Sequence, residues 1–299
     1  MRARVALLVV TVAGLRGAPA AASPDDEWRE EWRASEAERG PIAKRRLEHD
    51  ERVGRVPCKA KFDVGVDAKG RLVFCTTAAA VTLDGMPVAA ETYSSFYPSG
   101  RVYQAQLAAA AHEFTLADGR KVSCARSYIG FHPDGRLLHC DLAAPVTMTP
   151  GVRISGGVVF WNDGHVRWGA IDQPLRVGPG TLPAGSVLRW DRSGAVVGGT
   201  VKLPAVDLAG VRTTGEFELH ANGRLKKTKL AAPARIAGND LPAWAEVWWR
   251  ADGTLERARY LKSSGFVQHQ EWTDTAQIDY DRSGKVTSSR VEHTGPKAP

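Results

Sequence analysis

The residues whose types and spacing could do chemistry are four cysteines, eight histidines and several aspartates beside glycines. No G-x-S-x-G presents a serine nucleophile, no H-E-x-x-H sets two imidazoles on a zinc ion, and no glycine-rich phosphate loop appears. Asp134, Asp163 and Asp252 each precede a glycine. The calcium-binding nonapeptide and the EF-hand loop are both missing, so turn chemistry accounts for these aspartates. His132, His165 and His220 flank turns in separate segments and read as surface residues. His112-Glu113 is an isolated pair, which carries the alternative of a hydrolase with a site in segment 101–134. The expectation is no catalytic residue, no metal and no cofactor.

Cys58, Cys75, Cys124 and Cys140 lack the close C-x-x-C spacing of a zinc site. The first twenty-two residues place Arg2 and Arg4 before the apolar run Val5 to Leu15, then offer Ala18-Pro19-Ala20-Ala21-Ala22 as a cleavage site. This is the pattern of a secretory signal peptide, and its apolar run is well short of the roughly 20 residues that span a bilayer. An exported chain meets an oxidising compartment, so disulfides are expected. Loss of three leader arginines lowers the formal charge from +7 to +4. At 43% hydrophobic and 24% charged, the chain of 299 residues has ordinary globular composition, which excludes wholesale disorder and a polytopic membrane protein. Nucleic acid is not an expected partner; an envelope protein or an anionic or glycan polymer is.

The elements that position these residues emerge from the turn glycines. Gly70, Gly100, Gly135, Gly164, Gly194, Gly223, Gly253 and Gly284 follow one another at 30, 35, 29, 30, 29, 30 and 31 residues. Four positions before them stand Val66, Phe96, Phe131, Phe160, Trp190, Leu219, Trp249 and Tyr280; two positions after, Leu72, Val102, Leu137, Val166, Val196, Leu225, Leu255 and Val286. A three-residue hairpin loop ending in left-handed glycine places these two columns opposite each other. Position −6 is also apolar except at Ser94. Position +5 is small, with Cys75, Ala105, Cys140, Gly169, Gly199, Thr228, Ala258 and Ser289. The odd step from +2 to +5 demands a bulge at +3 or +4. The small residues are expected to make room for the large −4 residue of an adjacent unit, and a third short strand per unit is expected from segments such as Val81-Thr82-Leu83.

The fold class is therefore all-β: an elongated array of about eight 30-residue hairpin repeats, either a repeat sheet or a β-solenoid, with a short N-terminal helical segment. Residues 1–22 form the leader, 23–56 a charged helical segment stopped by Gly40-Pro41, and 57–296 the repeat domain, with an insertion around 105–125. Trp28 and Trp32 share one face of that helix and dock it on a neighbouring surface. Equivalent placement of the cysteines in two units favours Cys58 to Cys75 and Cys124 to Cys140 among three possible connectivities. Two features mark a candidate ligand-binding surface. Arg71, Arg101, Arg136 and Arg224 follow turn glycines and would line one rim; Trp161 and Trp248 have the opposite parity to the core columns and so face outward, where rings stack on sugars.

The units Phe131 to Leu137 and His220 to Leu225 resemble the aromatic-x-Asn-Gly hairpins of bacterial MORN-variant repeat proteins, over residues 57 to 296. The units here are longer and add a proline and a second glycine. The resemblance implies a non-catalytic secreted or periplasmic scaffold, structural or binding, at the cell envelope; a polysaccharide-binding accessory protein is the alternative.

Overall fold

A computed structural model describes residues 37–149, 152–178, 180–267 and 270–295. The chain is all-β, with a single turn of helix at Ala37–Arg39 that ends at Gly40 in the left-handed region. The leader and the Trp28/Trp32 face lie outside the described residues. The charged segment assigned as helix to residue 56 is instead extended from Ala43: Ala43–Arg46 pairs with Asp63–Val66, and Glu51–Val53 with Val56–Cys58. The β body thus begins before residue 57. No helix among the described residues is long and apolar enough to cross a membrane.

An 18-stranded antiparallel sheet forms the main body. The expected cross-strand pairs are present: Val66 faces Leu72, Phe96 faces Val102, Phe131 faces Leu137, and Phe160 faces Val166. Trp190 faces Val196, Leu219 faces Leu225, Trp249 faces Leu255, and Tyr280 faces Val286. Each turn glycine has positive φ, between 75° and 91°. In every one of these hairpins the register skips one residue of the outgoing strand, at Val73, Tyr103, Leu138, Arg167, Val197, Lys226, Glu256 and Thr287. The bulge is at +3, and it returns position +5 to the inner face.

The inner face then alternates large and small side chains across the strands: Val158, Gly169, Leu188, Gly199, Phe217, Thr228, Val247 and Ala258 are successive partners. The small +5 residue therefore lies between −6 side chains of its own and the next hairpin, not against −4. A methyl group built on Gly199 would lie 2.2 Å from the Val187 carbonyl oxygen, which shows how closely the strands are matched.

The expected third strand is a two-stranded connector hairpin. Val81–Leu83 pairs with Met86–Val88, Leu175–Val177 with Gly180–Leu182, and Ala234–Ile236 with Asn239–Leu241. Three residues per arm are too few to show a period in sequence. The insertion around 105–125 is the same element with longer arms, Ala111–Thr115 against Lys121–Ala125. Connector residues Leu83, Met86, Val88, Leu182 and Leu241 are buried in one apolar cluster with Phe96, Phe160, Trp190, Phe217, Trp249 and Tyr280 of the sheet. The core lies between the sheet and its connectors. The last hairpin departs from the pattern: Val286 and Val291 are exposed, and among the described residues the final strand, Val286–Thr294, pairs in register with Gln270–Tyr280.

Both disulfides join a connector to a sheet strand. Cys58 bonds Cys75 and Cys124 bonds Cys140, each with Cα atoms 5.8 Å apart. They are compatible with an extracellular or periplasmic location.

Candidate functional site

The hairpin tips hold most of the residues singled out from sequence. At each tip a short polar side chain accepts the backbone N–H two residues on, as Asp134 does from Arg136 at 3.0 Å and Asp252 from Thr254 at 2.9 Å. The Thr254 hydroxyl and N–H hold the Asp252 carboxyl below its ordinary pKa. Turn geometry thus occupies the aspartates that could have suggested calcium. Among the described residues no three His, Cys, Asp or Glu side chains gather as metal ligands.

In four hairpins the residue three before the turn glycine leans onto the following hairpin, whereas Asp67, Asp191 and Asp281 at that position accept N–H groups of their own turn. Tyr97 donates its hydroxyl to the Phe131 carbonyl at 2.7 Å, and Arg250 donates to the Tyr280 carbonyl at 2.5 Å. His132 and His220 place Nε2 3.2 and 2.8 Å from the carbonyls of Phe160 and Trp249. His132 is buried, which corrects its reading as a surface turn residue. Each side chain satisfies the carbonyl of a core residue one hairpin further along.

The rim arginines act in the same direction. Arg101 donates to the Asp134 carbonyl, Arg136 to the Asn162 carbonyl at 2.9 Å, and Arg224 to the Asp252 carbonyl. Arg71 folds back onto its own hairpin, with Nε 2.6 Å from buried Asp67, and faces Glu38 at 3.6 Å. Burial alone would raise the Asp67 pKa, but the Arg71 and Lys69 N–H groups and the Arg71 guanidinium hold it below the ordinary range. Arg101, Arg136 and Arg224 thus tie one tip to the next, and Arg71 does not.

Connector turns contact the tip of the hairpin after their own. Arg55 donates to the Gly100 carbonyl at 3.0 Å, Arg120 to that of Gly164 at 3.2 Å, and Asn239 to that of Gly284 at 3.1 Å. The connector turn between Val81–Leu83 and Met86–Val88 carries Asp84, which can only accept, and the corresponding turn between the long sheet strands Val196–Leu208 and Val211–Leu219 carries Ala209, which has no polar side chain. Clefts open there, of about 310 and 500 Å³. They are equivalent: Arg101, Val102, Phe131 and Gly135 line one as Arg224, Leu225, Trp249 and Gly253 line the other. Each offers an arginine, an aromatic edge and a carboxylate, Asp84 or Asp252, and neither holds a paired nucleophile and base.

His112 and Glu113 are neighbours on a strand and point to opposite sides. His112 packs edge-on to Phe114 with ring centroids 4.7 Å apart, while Glu113 pairs with Lys121 at 2.8 Å. The structure does not bring them together. Trp161 is not an exposed ring: it is 5% accessible, covered by the guanidinium groups of Arg167 and Arg192 at 4.7 and 4.8 Å. Trp248 is half-buried beneath Lys227, 5.0 Å from its ring.

The exposed rings lie elsewhere on the outer face. One cross-strand row there runs Gly65, Phe74, Ser95, Gln104, Gly130, His139, Val159 and Trp168, and a second holds Thr76 beside Tyr93 and Gln106 beside Tyr128. Tyr93, Tyr128 and Trp168 are 44%, 41% and 39% exposed. Their signal in the sequence is an aromatic excess at positions −7 and +4, confined to the four hairpins with tips from Gly70 to Gly164.

No protein family matches the sequence, and no curated protein matches it. Among solved structures the Photorhabdus luminescens Tc holotoxin pore, with the mutation TccC3-D651A, is similar at 12% identity and a TM-score of 0.19, and the alignment covers 86% of this chain and 14% of that one. A likeness of that size carries no argument.

Proposed function

We propose that the protein is an exported, non-catalytic scaffold, structural or binding, at the cell envelope, built from eight copies of one 30-residue hairpin unit in the style of MORN-variant repeats. The observation that carries this reading is the use made of the tip side chains. Tyr97, His132, His220, Arg250, Arg101, Arg136 and Arg224 each reach a backbone carbonyl of the next hairpin. Their chemistry goes into joining neighbours, as an array of nearest-neighbour units requires. The divergence of His112 and Glu113 weighs against the hydrolase alternative. Fractionation of cells making the full chain tests the reading: the protein is expected outside the cytoplasm, beginning near Ser23, with both disulfides formed. A reduced cytoplasmic chain that keeps residues 1–22 sinks it.

A further inference from the structure

The outer sheet face is divided by chemistry. From Arg189 onward its central row carries Glu218, Lys227, Trp248, Arg257 and Asp279 on successive strands. Two of these cations are paired, Arg257 with Asp279 at 2.6 Å and Lys227 with Glu246 of the neighbouring register at 3.8 Å. From Gly65 to Trp168 the same row has no carboxylate, lysine or arginine; Lys44 ends it beside Gly65, with Nζ 5.8 Å from the Phe74 ring. Burial lowers the His139 pKa, so that ring is neutral near pH 7.

The rings of the uncharged half lie down on the sheet. A methyl group built on Gly65 would sit 2.3 Å from the Phe74 ring, and one on Gly130 would sit 2.5 Å from that of His139. The glycines are what permits the rings to cross the neighbouring strand. Phe74 and Tyr93 are nearly parallel, 26° apart with centroids at 5.9 Å. Tyr93 and Tyr128 are separated by one intervening strand, and so are His139 and Trp168. Two strand spacings come to about 10 Å, close to the disaccharide repeat of an extended β-1,4-linked chain. Thr76, Gln104, Gln106 and Asp141 offer donors and acceptors beside the rings.

We propose that this half of the outer face binds an extended, neutral β-linked polysaccharide, whose flat pyranose faces stack on Phe74, Tyr93, Tyr128 and Trp168 as the polymer crosses the strands. The ring spacing favours this occupant, and the charges agree with it: a single lysine, Lys44, lies over Phe74 and the Asp141 carboxylate stands beside the second row, which gives a polyanion no run of cations along the rings, whereas hydroxyl-rich rings fit both aromatic faces and amides. The proposal rests on the scaffold reading only for where such a polymer is met, and binding by the purified chain is independent of export.

The test is co-sedimentation of the purified oxidised chain with chitin and with microcrystalline cellulose, and with α-linked amylose resin as a contrast. Binding to one of the β-linked polymers but not to amylose is expected. Trp168→Ala, and Tyr93→Ala with Tyr128→Ala, are expected to weaken it about tenfold per lost stack, while Trp244→Ala, exposed but outside the strip, leaves it unchanged. Circular dichroism confirms that each variant is folded. Failure to bind either β-linked polymer, equal binding to amylose, or undiminished binding by the triple variant overturns the proposal. So does a concentration-dependent dimer that Trp168→Ala abolishes without any glycan binding, which would make the strip an interface between copies.

Discussion

Arg39 donates Nη2 to the main-chain carbonyl of Phe96 at 2.7 Å, with both residues buried. At Phe131, Phe160, Trp249 and Tyr280 the main-chain carbonyl is met by the preceding hairpin, through Tyr97, His132, His220 and Arg250. Here the equivalent residue is Asp67, a carboxylate engaged with Arg71, which cannot donate. The end of the helical turn supplies the missing donor and fastens the start of the described chain to the second hairpin. A buried hydrogen bond from a charged group is worth about 1.5–3 kcal/mol. Arg39→Ala is expected to lose that much in thermal or urea unfolding, and exposed Arg45→Ala clearly less. Equal melting of the two variants would refute the role.

Val88 and Ala105 occupy in the second hairpin the places that Cys58 and Cys75 occupy in the first. The separation is 17 residues in the bonded pair and the same here, and the bridge of Val88 to Leu107 repeats that of Cys58 to Thr77. Both side chains are fully buried. Val88→Cys with Ala105→Cys is expected to form a third disulfide during oxidative folding and to add about 3 kcal/mol in the chain-entropy account. Peptide mapping without reductant reads the bond directly, and a double variant left with two free thiols would show that the units are not superposable.

Hairpin register was legible because positions −4 and +2 are one cross-strand pair, so each apolar column verified the other. The bulge was legible for a similar reason: Val166 and Gly169 could both face inward only if one residue was skipped. The roles of His132 and His220 were not. Their parity puts them outside the core, and only the closeness of the next tip turns an outward position into a buried one. The connectors hid because two three-residue arms leave no periodic trace. The aromatic strip was not legible, because the outward parity of Tyr93 and Tyr128 at −7 and of Phe74 and Trp168 at +4 is shared by Trp161 and Trp248, and parity alone does not say which outward rings neighbouring arginines and lysines cover.

Glycine at two sheet positions makes opposite demands. At Gly199 the obstacle to a methyl group is backbone, the Val187 carbonyl at 2.2 Å and the Leu188 Cα at 3.1 Å. At Gly65 it is the Phe74 ring, part of a half-buried side chain that can swing away. Gly199→Ala is therefore expected to destabilise the protein by about 2–3 kcal/mol, and Gly65→Ala by less than half as much. Denaturant midpoints of the two variants decide the point. A larger loss at Gly65 would mean that the ring is fixed rather than movable.

His139 gives the outer face a dependence on pH. Burial is the largest influence on its imidazole and lowers the pKa from 6.5, with the Asp141 carboxylate opposing. The unfolded chain then binds the proton more readily than the folded one. The stabilising contribution of the neutral ring is complete above about pH 6.5 and is lost as pH falls through that value toward the lower folded pKa. Thermal scans between pH 7.5 and pH 5 are expected to show a falling midpoint in the wild type. His139→Phe keeps a ring over Gly130 without a titrating group, so its midpoint should fall less over the same interval; identical slopes for the two proteins would place the titration elsewhere.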